Sequence, residues 1–232
     1  MAIIIDGKQT AENITEELKL EVSKMQKKPH LVVIQVGDNP ASNIYVNLKH
    51  KKAEAIGIKS TIIKYPETIT EDELINKIEE LNNDNEVHAV LVQLPLPNHI
   101  RKTNVIKAIS ARKDVDGFTA QNSGDLLNGI IPKVYPCTPK GVLRLLKEYN
   151  IEIAGKYAVI VGRSNIVGKP VAIMLLNKDA TVTICHSKTK NLSEITKQAD
   201  ILISAVGKKI IFKDMVKKDA VVIDVGIFKD EN

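Results

Sequence analysis

Along this chain the spacing of apolar positions switches repeatedly between strand-like runs and helical stripes. Ile3–Ile5 reads as a short strand, after which Ile14, Leu18, Val22 and Met25 recur at four, four and three residues, one stripe of a helix. Leu31–Val36 is a β-branched run ending at Gly37, the pattern of a buried strand. Ser42 is the expected cap of the next helix and Gly57 its stop. A strand over Thr61–Lys64, a helix through Leu74, Ile78 and Leu81, and a strand over Ala89–Leu94 halted by Pro95 and Pro97 complete a β-α-β-α-β series. That order predicts parallel pairing with helices on both faces of the sheet.

The rhythm breaks between Arg112 and Pro139, a stretch rich in Asp, Asn, Gly and Pro that reads as one long loop. Thr138 and Pro139 then suggest an N-cap and first-turn pair opening a helix through Tyr149. Beyond it the alternation resumes: strand Tyr157–Val161, helix Gly168–Leu176, strand Thr181–Cys185, helix Ser193–Ala199, and strands Ile201–Val206 and Val221–Val225. The expected fold class is α/β in two domains, residues 1–138 and 139–232, the second Rossmann-like with a parallel sheet.

Composition narrows the reading. At 232 residues, with 44% apolar and 26% charged positions, the chain has an ordinary globular balance. Five Tyr, three Phe and no Trp leave the core to Ile, Val and Leu. The net charge of +5 comes from scattered lysines, since only Arg101, Arg112, Arg144 and Arg163 of the 33 basic residues are arginines. With no basic run and little aromatic interleaving, a nucleic-acid partner is not expected. Cys137 and Cys185 match no metal or disulfide spacing, so no metal is expected and a reducing cytoplasm fits. The apolar run at Ile3–Ile5 is too short for a signal peptide, and no stretch approaches a membrane span.

Candidate chemistry lies in both halves. Val159–Val161 runs into Gly162-Arg-Ser164 and Gly168, a strand, glycine turn and helix start of the kind that receives a pyrophosphate. The spacing departs from G-x-G-x-x-G, so by itself the loop is equally a plain strand-to-helix turn. After the next strand comes Cys185-His-Ser-Lys-Thr189, without the carboxylate that holds the ribose hydroxyls of NAD. Arg163 and the hydroxyl of Ser187 together favour NADP, through the 2′-phosphate. His186 reads as a turn residue and receives no chemistry.

In the first half, Tyr45 and Lys49 stand four apart on one helix face. A phenol and an ammonium so placed suit proton movement or anion holding, although such pairs are commonly plain helix surface. The same Tyr-x-x-x-Lys spacing occurs in short-chain dehydrogenases, but there it follows the glycine loop, and here it precedes it. Gln93 interrupts an apolar strand near the edge where α/β proteins bind ligands. Asp114 and Asp116 lie in the long loop, where either acid can form a turn or accept two hydrogen bonds from an amino-pyrimidinone.

Seven blocks now stand in order: Ser42-x-x-Tyr45-x-x-x-Lys49, Val92-Gln-Leu-Pro-Leu-Pro97, Lys113-Asp-Val-Asp-Gly117, Pro136-Cys-Thr-Pro-Lys-Gly141, Gly162-Arg-Ser-x-x-Val-Gly-x-Pro170, Cys185-His-Ser187 and Val222-Ile-Asp-Val-Gly-Ile227. Together they resemble the bifunctional methylenetetrahydrofolate dehydrogenase/cyclohydrolase (FolD) family over nearly the whole chain. The resemblance implies an N-terminal catalytic domain that takes tetrahydrofolate derivatives and a C-terminal NADP domain, acting in one-carbon metabolism. It further implies a cytoplasmic homodimer with neither nucleic-acid nor membrane partners. Lys49 would be the central catalytic group, with Gln93 bonded to it, Tyr45 orienting the folate and Asp116 holding the pterin. Gly162, Arg163, Ser164, Gly168, Ser187 and Ile227 would be the cofactor contacts. Similar proteins continue past the equivalent of Asn232 with a Pro-Gly-Gly-Val-Gly-Pro-like loop and a final helix, so reduced stability and weaker folate binding are expected of this chain. The alternatives are a catalytically impaired NADP- and folate-binding homologue, or an unrelated two-domain NADP-dependent dehydrogenase of the shikimate dehydrogenase type.

Overall fold

The computed structural model describes residues 3–226. Its contacts divide into two compact units, Ile4–Asn122 and a second that starts at Ser123. The sequence reading divides the chain at 138; here residues 123–138 group with the second unit, where Asn177 Nδ2 donates to Leu126 O at 2.9 Å.

The first unit contains α1 (Gly7–Lys24), β1 (His30–Val36), α2 (Pro40–Ala55), β2 (Lys59–Tyr65), α3 (Glu71–Asn83), β3 (Ala89–Val92) and α4 (Lys102–Ala108). Its sheet is fully parallel in the order β2-β1-β3. The two-residue period of β1 sends Val32, Ile34 and Val36 to one face, against Leu74, Ile78 and Leu81 of α3 and Val105 of α4. Val33 points to the other, against Val46 of α2 and Leu91. A capping box opens α3: Thr70 Oγ1 accepts the Glu73 amide, and the Glu73 carboxylate accepts the Thr70 amide.

Three local expectations are corrected. Residues 3–6 form no strand, and Ile3 and Ile4 are exposed, because no strand among the described residues lies beside them to share a ladder. Ser42 is not the cap of α2: Asn39 is, its Oδ1 accepting the Ser42 amide at 3.1 Å, with Pro40 as the first helical residue. Of the α1 stripe only Val22 is buried, while Leu18 and Met25 stay exposed.

The Arg112–Pro139 stretch is not one loop, since α5 (Ala120–Leu127) interrupts it. Its sequence, Ala-Gln-Asn-Ser-Gly-Asp-Leu-Leu, buries Asn122 and Leu126 and offers no apolar period to read.

The second unit holds α6 (Cys137–Glu148), β4 (Tyr157–Val161), α7 (Gly168–Leu176), β5 (Thr181–Cys185), α8 (Leu192–Thr196), β6 (Ile201–Ser204), a 3₁₀ turn at Lys213–Met215 and β7 (Val221–Asp224). Thr138 and Pro139 fall inside the first turn of α6, which starts at Cys137 after Pro136. The sheet is parallel, ordered β5-β4-β6-β7. Ala158 and Ile160 pack with Val142 and Leu146 of α6 and Val171 and Leu175 of α7; Val159 and Val161 face Ala199 and Leu202.

In both sheets the strand order reverses at one place. The chain leaves β1 for β2 and returns to β3 on its other side; it leaves β4 for β5 and returns to β6 likewise. Open α/β sheets bind ligands at such switch points, outside the carboxyl ends of the strands. Among the described residues no helix is long and apolar enough to cross a membrane.

Candidate active site

In the first unit the switch point gathers three predicted residues. Gln93 follows the last residue of β3, its amide still bonded to Ile34 O at 2.8 Å as the ladder ends. Its side chain therefore leaves the sheet at the carboxyl edge. Gln93 Nε2 donates to Leu94 O at 2.6 Å, which orients Oε1 toward α2, where it accepts from Lys49 Nζ at 3.2 Å. Lys49 is partly buried, and Tyr45, one turn earlier on the same helix face, is exposed with its ring available to a ligand.

Asp116 arrives from the following loop. An isolated parallel bridge joins Asp114 to Val90, and the Val90 amide donates to Lys113 O at 2.7 Å, so this loop runs beside β3. Two residues beyond the bridge, Asp116 is carried toward the edge where Gln93 stands. Burial pushes the Asp116 carboxyl above its ordinary range; Lys49 opposes that rise and Asp114 adds to it. One half-buried acid in the field of a cation, with a neutral amide bonded to that cation, can hold a polar heterocycle and manage a proton.

The two acids have separate jobs, which their sequence spacing does not disclose. Asp114 is buried and forms the turn: it accepts the Gly117 and Thr119 amides and Asn122 Nδ2, at 2.9, 2.8 and 3.0 Å. Sequence reasoning also missed Gln35. It is buried on β1, with Nε2 donating to Asn43 Oδ1 at 2.6 Å, while Asn43 Nδ2 donates to Asp38 Oδ1 at 2.8 Å. This chain ties the start of α2 to the end of β1 and so places Tyr45 and Lys49. Its signal, a glutamine inside an apolar strand, is the same one that singles out Gln93.

In the second unit the switch point holds the glycine loop between β4 and α7. Gly162 has φ +126°, and a Cβ there would sit 2.7 Å from Ala205 O. A Cβ at Gly168 would lie 2.6 Å from the Gly162 carbonyl carbon and 3.0 Å from Arg163 Cα, so the loop folds tightly onto the helix start. Ser164 Oγ accepts the Val167 and Gly168 amides at 3.1 and 3.3 Å, which gives it a loop-forming role beyond its expected place among cofactor contacts. Arg163 is exposed on this loop.

Ser187 is exposed on the loop after β5, the strand next to β4; the two loops start side by side, with the Gly162 amide donating to Cys185 O at 2.8 Å. His186 closes a turn there: its amide donates to Thr189 Oγ1 and its Nδ1 accepts the Lys188 amide. No carboxylate occupies residues 186–190. Ile227 lies outside the described residues. Among the described residues no group of three or more His, Cys, Asp or Glu side chains is placed to hold a metal.

A concavity of about 830 Å³ lies elsewhere in the second unit and shares no lining residue with the predicted set. Leu126, Ile130, Leu143, Ile151 and Met174 line it, with Lys140 and Lys147 among its cations. A cavity of about 20 Å³ adjoins both Asp114 and Asp116.

Comparison with known proteins matches the same division. The profile of the tetrahydrofolate dehydrogenase/cyclohydrolase catalytic domain matches residues 5–116, and that of the NAD(P)-binding domain matches residues 136–232. The bifunctional protein FolD of Listeria innocua is 53% identical over 236 aligned residues, covering 100% of this chain and 83% of that protein. The crystal structure of the FolD enzyme of Campylobacter jejuni is 49% identical with a TM-score of 0.94, covering 97% of this chain and 81% of that one. That of Trypanosoma brucei, complexed with NADP and an inhibitor, is 37% identical with a TM-score of 0.92, covering 97% and 79%.

Proposed function

The chain belongs to the tetrahydrofolate dehydrogenase/cyclohydrolase family, and from that premise we propose that it oxidises 5,10-methylenetetrahydrofolate with NADP and hydrolyses the methenyl product to 10-formyltetrahydrofolate. The observation that carries the reading is the Lys49–Gln93 hydrogen bond at the switch point of the first unit, with Asp116 in the electrostatic field of Lys49.

The residues present fit the cofactor. Gly162 and Gly168 leave no room for side chains where the loop meets α7, and the missing acid after β5 leaves Arg163 and Ser187 facing no competing carboxylate on that loop. These two would hold the 2′-phosphate, while Gly162, Ser164 and Gly168 shape the loop for the pyrophosphate, and Ile227 would complete the contacts. When bound, NADP supplies the hydride acceptor.

Asp116 would accept two hydrogen bonds from the amino-pyrimidinone edge of the pterin, and the Tyr45 ring would pack on the folate. Loss of hydride leaves an amidinium-like cation on the substrate. Gln93, bonded to Lys49 Nζ, would fix the position of that side chain beside the carbon where the charge develops. In the hydrolysis, the Lys49 amine takes a proton from water as the oxygen attacks the methenyl carbon. The C–N5 bond then breaks, N5 takes the proton held by Lys49, the adduct hydroxyl releases its proton to solvent as the C=O forms, and the formyl group stays on N10. The proposal includes a homodimer in the cytoplasm, which light scattering and cell fractionation read.

Methenyl formation followed by its absorbance, with NADP compared with NAD, tests the reading. Turnover with NADP that exceeds turnover with NAD is expected. Oxidation of shikimate without any turnover of methylenetetrahydrofolate would overturn it.

A further inference from the structure

Asp114 is only 2% exposed, and its bonds run in one direction along the chain. Oδ1 accepts the Gly117 amide, while Oδ2 accepts both the Thr119 amide and Asn122 Nδ2. The loop closed by these bonds contains Asp116, and it turns at Gly117, where φ is +70°. Upstream, the Asp114 backbone is held by its amide, which donates to Ser110 O at 3.0 Å, and by its bridge to Val90 on the edge of β3. Asp114 thus fastens the loop at both ends, and its oxygens are spent on protein donors.

We propose that Asp114 is a positioning residue, clamping residues 114–122 so that the Asp116 carboxylate is presented beside Lys49 and Gln93 to the amino-pyrimidinone edge of the folate. This inference rests on the folate reading above. It has a consequence that loop packing alone lacks. The Asp114 charge favours the protonated form of Asp116, in the same direction as burial and against Lys49. Lys102 lines the cavity shared by the two acids, while Lys113 is turned away, its Nζ donating to Leu81 O and Asp84 O. Because a protonated Asp116 accepts the pterin edge less well, the folate KM rises on acidification, and Asp114 sets where that rise begins.

Asp114→Asn places an amide donor against backbone donors and removes the charge; Asn122→Ala removes the amide that bonds both Asp114 Oδ2 and Ala111 O and keeps the charge. Steady-state kinetics of the full chain with methylenetetrahydrofolate and NADP separate the two effects. Asp114→Asn is expected to raise the folate KM about 10-fold or more, since the clamp is buried and charge-assisted, with the NADP KM unchanged. The acid-side rise in folate KM should also move to lower pH. Asn122→Ala, which loses the bonds to both Asp114 Oδ2 and Ala111 O, should raise the folate KM a few-fold and leave that pH dependence in place. An unchanged folate KM in both variants, or an Asp114→Asn variant whose acid limb stays put, overturns the proposal. Should Asp114→Asn fail to fold, Asn122→Ala decides alone, and an unchanged folate KM refutes the clamp. Absence of methylenetetrahydrofolate turnover in the unmodified protein would instead overturn the functional reading itself.

Discussion

Substituting Gly168 by alanine tests how tightly the glycine loop depends on close backbone approach. The added methyl would fall 2.6 Å from the Gly162 carbonyl carbon and 3.0 Å from Arg163 Cα, nearer still to the Gly162 oxygen. Each neighbour is backbone, and none can swing aside as a side-chain tip would. Gly162 itself is held on its far side, where its amide bonds Cys185 O and its Cα faces Ala205. Relief therefore requires the start of α7 to move off the loop. Overpacking of this kind costs about 1–3 kcal/mol. For a chain of this size that lowers the melting temperature by roughly 2–12 °C. Since the displaced segment is the loop proposed to receive the pyrophosphate, with its Val167 and Gly168 amides tied to Ser164 Oγ, the NADP KM should rise while the folate KM holds.

Gly124→Ala is the contrasting case. It sits inside α5 with nothing within 4 Å of the added Cβ, so alanine should stabilise by about 0.5–1 kcal/mol through helix entropy. Thermal melting followed by circular dichroism, together with paired KM values, reads both variants. A Gly168→Ala protein that melts with the parent and keeps its NADP KM would refute the reasoning.

Lys49→Met removes the amine that Gln93 holds and keeps an unbranched side chain of similar length. Hydrolysis of methenyltetrahydrofolate should be abolished while hydride transfer is weakened or spared; retained hydrolysis would remove Lys49 from its role. Asp116→Asn should bind folate poorly yet melt higher at neutral pH. The Asp116 carboxyl is raised above 3.8 in the fold, chiefly by burial, so the folded state binds the proton more tightly than the unfolded one. Its ionisation consequently costs stability as pH rises through the raised value. The advantage of the asparagine variant should be full above that value and vanish as pH falls below about 4, where the carboxyl is protonated in both states. Melting curves from pH 3 to pH 8 measure it; a variant less stable than the parent at neutral pH would contradict the burial argument.

Much of the site was legible because its signals are local. Gln93 and the pair Tyr45 and Lys49 stand out as polar groups against an apolar strand or on one helix face, and the structure joins Lys49 to Gln93. The division of labour between Asp114 and Asp116 was not legible, since two acids in one Asp-Val-Asp loop differ only in what folds back on them. Asn122 was invisible for the same reason: a buried asparagine on a polar helix has meaning through the groups it reaches, here the Asp114 carboxylate and Ala111 O. Ser42 misled because it has the chemistry of a cap, yet Asn39, next to Pro40, had the better position.

The amino-acid sequence alone determined most of the succession of strands and helices, though not α4 or α5, together with the parallel sheets and the tight glycine turn of the second unit. These depend on residue period, β-branching and the steric limits of a missing Cβ, which act over a few residues. Tertiary structure alone decided which acid holds the 114–122 loop, how α5 formed without an apolar stripe, and why Ile3 and Ile4 stayed exposed. Burial, partner strands and shared hydrogen bonds made those choices, and each depends on residues far apart in the chain.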